Sequence, residues 1–253
     1  MYEAIAQQFY DTSMHGIALM GSRARGEAQP YIDIDLVCLT KKDTAPETDT
    51  YYVVDNLVIV SSVTLEQTEQ WFTEPKQIVE IISNLRQADI LIDEQFIYAN
   101  LQQRARQFQW TDDHRAKANT YVSNQLVGLI EEVHKGLNCL TDYDAGRCIN
   151  ATHGLAWGLT FMVLVYHGIL ADGDNGLILG AQQAVGYDSE WSRLQRLTYG
   201  IVAPTESQPK RIDMLHASLS LYKLTYEICK SACTSQHQKP INRTIAFIDE
   251  EMT

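Results

Sequence analysis

The chain has 253 residues, a formal net charge of -12 and 45% apolar residues. That apolar content is enough for a substantial core, so a disordered or fibrous chain is excluded. The acidic balance argues against a surface built to grip a nucleic-acid backbone, and no nucleic-acid partner is expected.

In chain order, residues 1–12 read as a helix with Ala4, Ile5 and Phe9 on one side. The opening residues lack the basic-then-apolar pattern of a secretory leader, so a cytoplasmic location is expected. Residues 16–21, "GIALMG", read as a strand, and residues 33–40, "DIDLVCLT", as a second one. A polar connection, "KKDTAPETDT", follows. Residues 51–63 then read as a hairpin turning at Asp55-Asn56, and Thr64 is a good N-cap for a helix over 64–72.

From about Thr111 the pattern changes to long helical periods at 112–139, 144–170, 176–186, 189–200 and 208–234. They are broken at "TDYD", "ADGDNG", "VGYD" and "VAPTESQP". The expected organisation is therefore an α+β fold. A short mixed sheet with helices occupies 1–110, and a helical bundle occupies 111–253. The uncharged stretch Ala151–Ala171 has the length of a membrane span. It carries His153, His167 and three glycines, however, and reads as the bundle's central helix, with no membrane partner expected. The five cysteines lack framework spacing and read as reduced, buried thiols. Cys229 and Cys233, one helical turn apart, have no second pair of metal ligands.

The chemistry concentrates in "GSRARG" and "DID". Side chains alternate along a strand, so Asp33 and Asp35 project together while Ile34 and Leu36 point the other way. Two carboxylates on one face call for a cation between them, and Mg²⁺ takes one or two carboxylates together with substrate phosphates. A solvated strand end would show the same Asp-x-Asp pattern. The preceding loop offers backbone N–H groups at Gly21, the Ser22 hydroxyl and the Arg25 guanidinium, all suited to phosphate oxygens. It is not a Walker loop, because Glu27-Ala28 stand where Lys-Ser/Thr is required.

Gly21-Ser22, Arg25-Gly26 and Asp33-Ile34-Asp35-Leu36 together resemble the signature of the DNA polymerase β-type nucleotidyltransferase superfamily. The chain is most similar to its kanamycin (aminoglycoside) nucleotidyltransferase branch, with Ile32 where that branch's Pro-Tyr-Ser-Asp-Ile-Glu motif has serine. The resemblance implies Mg²⁺-dependent transfer of a nucleoside monophosphate from an NTP, ATP above all, to a hydroxyl of a small molecule. An aminoglycoside-type antibiotic is one such acceptor, and resistance to it one such role. It also implies a homodimer. Asp33 and Asp35 would hold the metal, and Gly21, Ser22, Arg25 and Lys135 the nucleotide. In "LIEEVHK", Glu131 would be the base, with Glu132 as its rival. An ordinary surface Glu–Lys pair gives the same spacing. His167 falls where the family bundle has a histidine, and reads as a satisfied core residue. Many members carry a third carboxylate on the next hairpin, where this chain has Ile59. That departure keeps an alternative open: a catalytically weak or inactive nucleotide-binding regulator of antitoxin-like type.

Overall fold

A computed structural model of the chain describes residues 1–27, 29–41, 47–142, 144–203, 205 and 207–252. The chain divides into two compact units: Met1–Trp110 with Leu170–Asn175, and Thr111–Ile169 with Gly176–Thr253.

The first unit begins with α1 (Tyr2–Phe9) and β1 (Met14–Met20), followed by a single helical turn, α2 (Gly21–Ala24). Next come β2 (Ile34–Thr40), β3 (Glu47–Val53) and β4 (Asn56–Thr64). Of the polar connection expected at 41–50, residues 42–46 lie outside the described residues, and 47–50 already belong to β3. The hairpin turns at Val54-Asp55, both with positive φ (48° and 62°), as a turn that follows the natural strand twist requires. Thr64 then caps α3 (Leu65–Thr73) in a reciprocal pair with Gln67, as the sequence predicts. The unit continues through α4 (Pro75–Arg86), β5 (Asp89–Asp93) and α5 (Ile97–Gln107), which the sequence patterns leave unassigned.

The sheet order is β3-β4-β2-β1-β5. Among the described residues, only the β2–β4 pair is parallel. The two faces of β2 separate cleanly. Ile34, Leu36 and Cys38 join Ile5 and Ala6 of α1 in one apolar cluster. Val37 and Leu39 turn to the other face, where Trp71, Phe72, Ile78, Ile82, Leu85 and Tyr98 of α3–α5 pack. Asp33 and Asp35 precede Val37 on that second face, at the end the helices leave open.

The second unit is helical: α6 (Asp112–Gly128), α7 (Ile130–Thr141), α8 (Ala145–His167), α9 (Leu177–Val185), α10 (Glu190–Thr198), α11 (Arg211–Cys229) and α12 (Ser235–Glu251). The single period expected over 112–139 kinks at Gly128-Leu129. The breaks near "TDYD" and "VAPTESQP" include Tyr143, Pro204 and Glu206, which lie outside the described residues. The apolar helix α8 packs against α6, α7, α9, α10 and α11, which buries most of its hydrophobic surface inside the unit. Cys139 and Cys148 form a disulfide across the α7–α8 connection, against the expectation of reduced thiols throughout. Cys38, Cys229 and Cys233 are free and buried, and burial pushes the Cys38 and Cys229 thiols up to about 12.

Candidate active site

In the first unit, a cavity of about 520 Å³ opens at the uncovered end of the sheet. Gly21, Ser22, Arg25, Asp33 and Asp35, all expected from the sequence, line it together. The stretch that reads as a loop folds as the one-turn helix α2, closed by bonds from Gly26 N–H to Arg23 O (3.1 Å) and from Glu27 N–H to Ser22 O (3.0 Å). Gly21 has φ +71°, and a Cβ there would lie 2.3 Å from Asp35 Oδ2. Glycine is thus required twice at this position: for its backbone angle and because the carboxylate occupies the space a side chain would fill.

Arg23, a mere spacer in the sequence pattern, holds the backbone at Ile32 and Asp33. Its Nε donates to Ile32 O (3.1 Å) and Asp33 O (3.0 Å), and its Nη2 donates to Ile32 O. Arg25 is 9% exposed. Its Nη1 donates to Asn84 Oδ1 (2.9 Å), and the guanidinium pairs with Glu27 at 3.0 Å. Asn84 is itself held on α4 by donating from Nδ2 to Glu80 O (2.8 Å).

Asp35 is pushed up to about 6, first by burial and then by the charge of Asp33, with Arg25 opposing. The pair therefore carries more negative charge than its surroundings compensate. This, with the space kept open by Gly21, suits a divalent cation. Among the described residues no three His, Cys, Asp or Glu side chains gather as a ligand set. The two carboxylates would thus need oxygens from a substrate to complete the coordination, which is the habit of Mg²⁺.

Ile59 of β4 pairs in parallel register with Asp35, and Ser61 with Val37. Both Ile59 and Ser61 line the cavity, so the position of the usual third carboxylate is apolar. The remaining wall comes from Ile81 and Asn84 of α4 and from Asp172, Gly173, Asp174 and Asn175. The sequence reading misses this last strip, because "ADGDNG" has the composition of a turn between helices. Ala171 N–H donates to Val79 O at 2.8 Å, and Leu170 packs into the apolar cluster of the first unit. Asp172 Oδ1 accepts from Ser83 Oγ and, at 3.1 Å, from Gln87 Nε2.

Glu131 and Lys135 lie on α7 in the second unit, and neither lines this cavity. They share a helix face as the spacing predicts. Lys135 Nζ stands 2.9 Å from Glu131 Oε1 and 2.8 Å from Glu132 Oε1. Those hydrogen bonds, Glu132's first, raise the Lys135 pKa. His167, expected as a satisfied core histidine, instead has a buried Nε2 without a hydrogen-bond partner among the described residues. Burial, with a further push from Arg115, lowers its pKa and favours the neutral ring.

Residues 3–97 match the model of the family described as the nucleotidyltransferase domain. Among solved structures, the chain is similar to a nucleotidyltransferase-like protein from Exiguobacterium sibiricum. The identity is 14%, the TM-score 0.51, and the alignment covers 92% of this chain and 74% of that one, a likeness of fold. No curated protein matches the sequence.

Proposed function

We propose that the chain is a Mg²⁺-dependent nucleotidyltransferase that moves a nucleoside monophosphate from an NTP, ATP by preference, to a hydroxyl of a small molecule. The observation that carries this reading is the convergence of Asp33, Asp35, Ser22 and Arg25 on one cavity within the segment that matches the nucleotidyltransferase model. Asp33 and Asp35 would hold the ion. When bound, it would neutralise phosphate charge and polarise the α-phosphoryl group. Arg25, oriented by Asn84 and Glu27, presents a cation to the phosphate tail. Ser22 adds a hydroxyl on the same wall, and Gly21 keeps the Asp35 carboxylate in place. An aminoglycoside-type polycation is the acceptor class we favour, in a cytoplasmic homodimer. The acidic balance of the chain supports a cationic acceptor.

A second reading has its own observation. Ile59, in register with Asp35, removes the acid that would receive the acceptor's proton, as expected of a protein that binds nucleotide without transferring it. One experiment separates the two. The purified chain is incubated with α-labelled ATP, Mg²⁺ and a panel of aminoglycosides and lincosamides, and pyrophosphate release and labelled product are followed. Transfer to an acceptor supports the enzyme. Mg-ATP binding by calorimetry with no pyrophosphate released supports the binding protein.

A further inference from the structure

Resting on the enzymatic reading, we propose that Asp174 supplies the carboxylate that Ile59 leaves out and takes the proton from the acceptor hydroxyl. Four carboxylates line the cavity: Asp33, Asp35, Asp172 and Asp174. The first two share the strand face suited to the cation. Asp172 is tied to α4 through one oxygen, because Ser83 Oγ and Gln87 Nε2 both donate to its Oδ1, and it serves to fix the strip. Asp174 remains. It is exposed at the cavity and takes no hydrogen bond or ion pair from the described residues.

The strip that carries it is anchored just ahead of the aspartate. Leu170 is packed in the apolar cluster, Ala171 N–H is bonded to Val79 O, and Asp172 is tied to α4. Gly173, at φ +93°, passes close to Arg25, since a Cβ built on it would stand 3.7 Å from Arg25 Nη2. Asp174 is thus delivered to the cavity by an element other than the sheet. The nearby Glu80 is partly buried and 3.8 Å from Lys76. It points to no second free acid in the cavity, because it does not line it.

In the step, the acceptor O–H bond breaks and its proton passes to an Asp174 carboxylate oxygen. The freed oxygen pair forms the new O–P bond at the α-phosphorus. The bond from that phosphorus to the bridging oxygen breaks, and its electron pair leaves with pyrophosphate. Asp174 afterwards returns the proton to water.

The test uses the full chain, Mg-ATP and the panel acceptor that gives the wild type its fastest pyrophosphate release. Asp174→Asn should lower kcat by roughly a hundred- to ten-thousand-fold, the range for loss of a general base. Mg-ATP affinity by calorimetry should remain near wild type, and the unfolding midpoint should be unchanged, because the residue is exposed. Asp174→Glu should recover part of the rate. A wild-type chain that releases no pyrophosphate with any acceptor overturns both the enzymatic reading and this inference. An active wild type with an equally active Asp174→Asn overturns this inference alone. So does a pair of variants in which Glu131→Gln is dead and Asp174→Asn is unimpaired, since the proton would then go to α7.

Discussion

Replacing Gly21 by alanine tests how the site is built, and Gly26 supplies its control. Both residues have positive φ, +71° and +75°. An L-residue in that region costs about 1–2 kcal/mol, partly offset by the stiffer unfolded chain. A Cβ on Gly26 meets nothing within 4 Å, so Gly26→Ala should show this backbone cost alone. A Cβ on Gly21 would sit 2.3 Å from Asp35 Oδ2 and 3.3 Å from its Cγ. That is roughly 1 Å inside ordinary contact distance. The carboxylate is on a short arm and must swing away. An off-rotamer side chain adds about 0.5–1.5 kcal/mol, which brings Gly21→Ala to about 2–3 kcal/mol. The larger effect falls on chemistry, because a displacement of about 1 Å in a catalytic group costs on the order of a hundredfold in rate. Denaturant unfolding and pyrophosphate release, measured on both variants, give the two readouts. Gly26→Ala should lose stability and keep its turnover, and Gly21→Ala should lose both. Equal losses in the two variants would refute the argument that the missing Cβ holds the place of the Asp35 carboxylate.

Asp35→Asn should stabilise the metal-free protein at neutral pH. With Asp35 raised from 3.8 to about 6, the folded state binds the proton more tightly than the unfolded one. Stability is therefore lost as pH rises from about 4 to about 6, and stays lost above that. The full rise corresponds to at most about 3 kcal/mol, which partial solvent exposure reduces to about 1–2 kcal/mol. In EDTA the variant should exceed wild type at pH 7.5 and match it near pH 3.5; a variant less stable at pH 7.5 contradicts the charge assignment. Arg23→Ala should cost about 1–3 kcal/mol of stability and weaken Mg-ATP binding, since the Ile32 and Asp33 carbonyls lose a half-buried donor. Arg23→Lys should rescue only part of this, for lack of the planar fork, and unchanged unfolding and calorimetry would make the clamp incidental. Cys139→Ser should remove the bridge to Cys148, seen as a loss of the reducible link in intact mass, and cost roughly 2.5 kcal/mol for so short a loop. No change in the unfolding midpoint would mean that the link contributes nothing to stability.

What the sequence discloses here is whatever is written locally. The alternation of Asp33 and Asp35 against Ile34 and Leu36 is a period of two, and it predicts the two faces of β2 that the packing displays. Thr64 announces α3 because an N-cap is a single-residue signal, and the structure adds Gln67 as its reciprocal partner. Arg23 escapes notice because its partners are backbone carbonyls, which every residue type provides. Asp172 and Asp174 escape because nothing near "ADGDNG" indicates that Ser83, Gln87 and Val79, far earlier in the chain, will receive it. The strand β5 is five residues long, too short for its alternation to stand out. In α12 the early Pro240 masks an otherwise helical run.

The strip Leu170–Asn175 also bears on how the protein is made. Its start lies 60 positions after Trp110, where the first stretch of its unit ends (170 − 110). At about 5–20 residues per second on a ribosome, the nascent unit waits several seconds for its last piece. During that interval the Val79 carbonyl lacks its Ala171 donor, and the seat of Leu170 on the apolar cluster lies bare. A gene cut after codon 110 would make that interval permanent: the first unit is completed by a short acidic segment encoded in the middle of the other half.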